Sequence, residues 1–156
     1  MGKGDNFYQF VHSDDLAEAC ILVASRPGSE LYNCGTDRFG TMRALLEALC
    51  QHAKTGSIVK GLPAKPTIWA MKATSALGIS PLGIYHAMLY GGEMYFDISK
   101  ASTELGWQPQ YSNNEMLIQS YEWYLANREN VLSSSGGSPH RSAVKQGVLN
   151  AVKWIL

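Results

Sequence analysis

The chain has 156 residues, a length that suits one domain built round a single core. Hydrophobic residues make up 46%, which excludes wholesale disorder, and charged residues only 17%, which predicts a rather apolar surface. Thirteen Lys and Arg balance thirteen Asp and Glu, so there is no global charge footprint for nucleic acid.

The elements follow in chain order. Residues 7–11 (FYQFV) are aromatic and β-branched and read as a short strand. Ser13, Asp14 and Asp15 come next, and such side chains accept hydrogen bonds from the free amides of a first helical turn. Leu16, Ala17, Cys20, Ile21 and Ala24 recur at helical spacing, which predicts a helix over residues 14–25, stopped by Pro27-Gly28. Residues 31–34 (LYNC) read as a second strand and residues 57–62 (SIVKGL) as a third. Between them Thr41 caps a helix that ends near Gly56.

Pro63 and Pro66 punctuate the chain before a helical pattern over 67–77, and a further helical stretch runs from Pro81 through Tyr90 to Gly91-Gly92. Residues 94–97 read as a short strand. Asp97 or Ser99 then opens a helix that Gly106 stops, and Ser112 caps the longest helix, residues 113 to about 132. Its stripe of Met116, Leu117, Tyr121, Tyr124 and Leu125 suits burial. Residues 133–140 (SSSGGSP and His140) have linker composition, and in residues 141–156 the apolar positions 144, 148, 151, 152 and 155 share one helical face. The predicted domains are therefore 1–132, a flexible linker 133–140 and an amphipathic helix 141–156. Strand and helix alternate early and helices dominate later, an α/β pattern with too few strands for a complete doubly wound sheet.

Cys20, Cys34 and Cys50 form no CxxC pair and are odd in number, so three free core thiols in a reducing compartment are expected. No apolar run reaches the roughly 20 residues that span a bilayer, and the start MGKGDNFYQF has no apolar signal core. A cytoplasmic location is the expectation. Trp154 beside Lys153 is an interfacial signature, so contact of 141–156 with a membrane surface is a secondary expectation.

A phosphate-cradling loop needs closely spaced glycines between a strand and a helix, and the sequence holds neither GxGxxG nor GK[ST]. No HExxH or similar spacing predicts a metal site. His12 sits beside Asp14 and Asp15, where it is either a carboxylate-oriented base or a strand-end histidine bonded to backbone. His52 is expected on the exposed side of its helix, simply solvated. Tyr85, His86, Tyr90 and Tyr95 gather round Gly91-Gly92, an arrangement that can line a pocket. Trp107, Tyr121, Trp123 and Tyr124 read as core.

Four segments, FVHSDDLAEA (10–19), LYNCGT (31–36), TMRALLEAL (41–49) and FDISKASTELGWQP (96–109), stand in an order that resembles the extended short-chain dehydrogenase/reductase family. These are NAD(P)-dependent epimerases and dehydratases, many acting on nucleotide sugars, and the resemblance is to their C-terminal portion over residues 4 to 130. It implies a partial, helix-rich substrate-binding lobe of an extended Rossmann-type protein. The family's glycine fingerprint and Tyr-x-x-x-Lys pair precede that lobe. None of the eight tyrosines here has Lys four residues on, and Tyr124 with Arg128 comes closest.

The Tyr–Lys pair moves the proton beside the nicotinamide, with the lysine lowering the phenol pKa, so hydride chemistry has no acid–base partner in this sequence. Where nucleotide-sugar members place an arginine two residues before the Phe of the FVH strand, this chain has Tyr8. The position of a second arginine falls near Ala87. A diphosphate therefore loses its charge-assisted clamps.

The expectation is a lobe that is not catalytic alone and binds no cofactor by itself, with NAD or NADP held by the complete family member. Its partners would be a small-molecule substrate and a Rossmann half supplied in trans, and not nucleic acid. An exposed strand edge at 7–11 or 31–34 would favour a homodimer. Tyr8, His12, Tyr85 and Tyr90 are the expected substrate-lining residues. Asp15 and Asp97 fall on motif positions with a structural role and are expected as helix caps. The alternative is a stand-alone small-ligand or interaction module.

Overall fold

The computed structural model describes residues 2–76, 89 and 92–133. The helix expected through Tyr90, the bulk of the 133–140 linker and the segment 141–156 lie outside the described residues. Ser133 itself still belongs to a helix.

Two short strands, β1 (Phe7–Tyr8) and β2 (Gly40–Thr41), pair antiparallel with Phe7 opposite Thr41 and Tyr8 opposite Gly40. On its other side Tyr8 forms a parallel bridge with Met94, through Gln9 N to Met94 O and Met94 N to Phe7 O. Among the described residues five helices accompany this strip: α1 (Ser13–Ala24), α2 (Met42–Ala53), α3 (Ala64–Ala76), α4 (Ser99–Leu105) and α5 (Asn113–Ser133). The result is a helix-rich, partial α/β fold, as the alternation of patterns predicted.

Helix ends follow local chemistry closely. Thr41 Oγ1 accepts Ala44 N at 3.2 Å and caps α2, whose C-terminus turns off through Lys54 in the left-handed region at φ 52°. Ser112 and Glu115 form a reciprocal capping box at the start of α5: Glu115 Oε2 accepts Ser112 N at 2.7 Å and Ser112 Oγ accepts Glu115 N at 3.3 Å. Gly106 ends α4 at φ 67°, a conformation that a Cβ would strain. Pro66 lies in the first turn of α3, where its missing N–H costs nothing.

Strands are fewer than the composition predicted. Residues 31–34 and 57–62 are extended but pair with no strand among the described residues, and 94–97 contributes only the bridge at Met94. A β-rich run becomes a strand only when a neighbour completes its ladder. The run 7–11 stops at Tyr8 because side chains take over the ladder. Asn113 Nδ2 donates to Tyr8 O at 2.6 Å and Asn113 Oδ1 accepts Phe10 N at 3.0 Å. Gln9 Nε2 donates to Thr36 O at 2.8 Å and Gln9 Oε1 accepts Phe96 N at 2.8 Å. Gly35 makes this possible, since a Cβ there would sit 2.4 Å from Gln9 Cδ. Phe7–Tyr8 thus has β2 on one side and Met94 on the other.

Ala19 of α1, Ala101 of α4 and Trp107 form a buried cluster, packed round by Leu22, Tyr32, Cys34, Ile98 and Leu105. Tyr8, Leu45 of α2 and Met116 of α5 are buried as well. Cys34 and Cys50 are half-buried and all three cysteines are free, but Cys20 is exposed, so the expectation of three core thiols fails at α1. Trp123, Tyr124 and Leu125 are exposed rather than core.

Candidate functional site

The joint between α1, α4 and α5 sets the geometry of everything nearby. Asp15 is 2% exposed, and its carboxylate accepts Gln110 N at 3.0 Å and Tyr111 N at 3.3 Å. Trp107 Nε1 donates to the Asp15 carbonyl at 2.8 Å. Asp15 is thus not the expected cap of its own helix. It latches the loop before α5 onto the first turn of α1, and nothing local in the sequence marks partners 95 and 96 residues away.

The cap of α1 is His12. Its Nδ1 accepts Asp14 N at 3.2 Å, which requires an unprotonated Nδ1 and leaves Nε2–H to donate to Gln119 Oε1 at 2.6 Å. The imidazole stacks on the Tyr111 ring with centroids 3.8 Å apart. A base oriented by Asp14 is not what this shows, since the carboxylate is 3.8 Å from a nitrogen already engaged by backbone. His12 is instead a fixed wall of a shallow cleft of about 380 Å3. Ser13 and Asp14 at the start of α1, and Gln119, Ser120 and Trp123 on α5, complete its lining.

Of the other expected lining residues that the structure describes, Tyr8 does not join His12. Tyr8 is buried beneath Phe10 in the two-strand strip. Tyr85 and Tyr90 lie outside the described residues. Asp97 acts at a helix start: its Oδ1 accepts Ser99 N at 2.8 Å, although Ile98 occupies the cap position. The Ser99 hydrogen bonds hold the Asp97 carboxyl below its usual range. His52 is not merely solvated, since its Nε2 meets Glu122 Oε1 at 2.6 Å and ties the end of α2 to α5.

A second concavity lies between α1 and residues 30–34. It measures about 400 Å3 and its walls are apolar, with Leu16, Ala19, Cys20 and Val23 facing Leu31 and Cys34. Leu31 is 90% exposed on its rim. A polar strap fixes the far side of this segment. Lys100 Nζ donates to Glu30 Oε2 at 2.7 Å and to Leu31 O at 3.2 Å, and lies 4.7 Å from the centroid of the Tyr32 ring. Tyr32 OH donates to Glu104 Oε2 at 2.9 Å, and Arg26 reaches the Glu104 carbonyl. The Lys100 hydrogen bond and charge hold Glu30 below the carboxylate range. Burial, and then the neighbouring Cys20, push the Cys34 thiol up, which favours its neutral form.

Among the described residues no group of three or more His, Cys, Asp or Glu is placed to hold a metal ion, and no helix is long and apolar enough to cross a membrane.

No protein-family model matches the chain. It is 53% identical over its whole length to the uncharacterized protein y4nG of Sinorhizobium fredii, covering 39% of that protein. It is 32% identical over 127 residues to GDP-L-fucose synthase 1 of Arabidopsis thaliana, and 29% identical over 134 residues to probable GDP-L-fucose synthase 1 of Oryza sativa. These matches take in 81% and 85% of the chain and 32% and 33% of the synthases. The chain therefore spans 32% to 39% of the length of these curated relatives. The similarity falls in the C-terminal part of the synthases and supports the extended short-chain dehydrogenase/reductase reading of its four motifs.

Proposed function

We propose that the chain is the substrate-lobe part of an NAD(P)-dependent epimerase/dehydratase-like protein. It binds no dinucleotide by itself and acts when a nucleotide-binding part seats against the apolar groove between α1 and residues 30–34. The observation that carries this reading is the groove, with Leu31 fully in water on its rim. An apolar concavity of this kind is the signature of a surface meant to be covered. Some two thirds of each synthase has no counterpart in this chain, which supports a nucleotide-binding part as the occupant. The sequence adds that no glycine-rich phosphate loop and no Tyr-x-x-x-Lys pair is present, so cofactor binding and proton transfer belong to the other part. A small-molecule substrate in the shared cleft and a nicotinamide cofactor on the partner side complete the proposal.

The test is co-expression of this chain with the portion of y4nG that the match leaves uncovered, followed by titration with NADH and NADPH. The expected result is co-purification, cofactor binding by the complex, and none by the chain alone at millimolar cofactor. Micromolar binding by the chain alone, or failure of the two parts to associate, overturns the reading.

A further inference from the structure

We propose that the cleft between the start of α1 and the middle of α5 binds the ring of a neutral, phosphate-free sugar, with the Trp123 indole as its stacking face. Trp123 is 60% exposed at the wall of a concavity, although an indole loses much by standing in water. Gln119, Ser120 and Trp123 follow at helical spacing on α5, so the flat apolar ring and two polar groups share one face. Ser13 and Asp14 close the cleft from α1.

The polar groups are of the right mixture. A sugar hydroxyl donates one hydrogen bond and accepts others, so its site needs both kinds of partner. His12 holds Gln119 by its carbonyl oxygen, which leaves the amide nitrogen as a donor with no partner among the described residues. Ser120 Oγ donates to Met116 O at 2.9 Å, so it has only acceptor capacity to offer. The Asp14 carboxylate, with its side chain 74% exposed, is an acceptor that can take two adjacent hydroxyls at once. His12 itself is pinned by Asp14 N, Gln119 and the Tyr111 ring, which fixes the wall in advance of any ligand.

Charge selects against phosphate. Among the described residues no Lys or Arg lines the cleft, and the one formal charge they bring to it is negative. A phosphorylated sugar would meet the Asp14 carboxylate with no cation to offset it. At about 380 Å3 the cleft is near the lower end of ligand-site volumes and suits a single ring. It shares no lining residue with the apolar groove, so the proposal stands or falls separately from the function proposed above.

Saturation-transfer NMR on the intact chain tests it, with methyl α-mannopyranoside as probe and mannose 1-phosphate, glycerol and tetramethylammonium as comparators. The expected result is transfer to the ring C–H protons of the methyl glycoside, with a Kd on the order of millimolar for so small a ligand. Trp123→Ala should weaken it by at least about fivefold, as truncation of a central aromatic does. Trp69→Ala should not, although Trp69 is as exposed, at 73%, on α3. Asp14→Asn should narrow the preference for the neutral glycoside over the phosphate. Unchanged circular dichroism verifies that each variant folds. The proposal is overturned if Trp123→Ala binds as the parent does, if Trp69→Ala loses the signal equally, or if glycerol, mannose 1-phosphate or tetramethylammonium binds as well as the glycoside.

Discussion

The two faces of α1 are finished to different degrees. On the face turned to the loop before α5, Asp15 and Trp107 are buried and bonded, and no buried side-chain nitrogen or oxygen lacks a partner among the described residues. On the face turned to residues 30–34, Leu16 is 42% exposed and Leu31 is 90% exposed across an open groove. Satisfying buried polar groups is the demanding part of folding, because each orphan costs more than a lost apolar contact. Here that part is complete while the easier, apolar part is not. The difference teaches that the described residues satisfy their buried polar groups while leaving apolar side chains between α1 and residues 30–34 in contact with water.

The comparison breaks first at Asp15. Asp15→Ala strands the Gln110 and Tyr111 amides in a buried joint and should cost about 2–4 kcal/mol. Asp15→Asn keeps one acceptor oxygen and should cost about half as much. Urea denaturation followed by circular dichroism reads both. If Asp15→Ala unfolds at the parent's midpoint, the joint is not where the fold is held, and the contrast between the faces is lost.

Acidification gives a smaller effect on the same side. The Ser112 side-chain and backbone hydrogen bonds, with Arg38 3.6 Å away, hold the Glu115 carboxyl below its ordinary value of 4.5. A folded-state value below the unfolded one contributes stability that is present above pH 4.5 and is lost as pH falls through the folded value. Glu30 and Asp97 are lowered too and act in the same direction. The urea midpoint should therefore fall between about pH 6 and pH 3, and fall less in Glu115→Gln, which has no carboxylate to protonate there. Parallel falls in the two proteins would remove the capping box from the account.

What the sequence disclosed divides along the same line as these effects. Thr41, Ser112 and Gly106 mark helix ends because a cap is decided within four residues. Trp107 reads as core and is core. The strands at 31–34 and 57–62 did not form, since a ladder needs a partner that composition does not name. Asp15 reads as a cap because its true partners follow more than 90 residues later. Of the candidate lining residues that the structure describes, His12 reaches a cleft and Tyr8 does not; opposite His12, Trp123 read as core and Gln119 carried no signal.

The smallest expected effect sharpens the comparison from the unfinished side. Leu31→Ser removes an apolar side chain that is 90% exposed, so the stability should stay within about 0.5 kcal/mol of the parent. Ile58→Ser is the control, 73% exposed beside α2 and away from the groove, and should be equally silent. The two must then part when the uncovered portion of y4nG is supplied. Leu31→Ser should weaken that association by roughly tenfold, the size of effect that truncating a central interface anchor produces, and Ile58→Ser should leave it unchanged. Both variants losing the association would place the contact elsewhere on the surface. Neither losing it would mean that the groove, though open and apolar, is not the face that the second part covers.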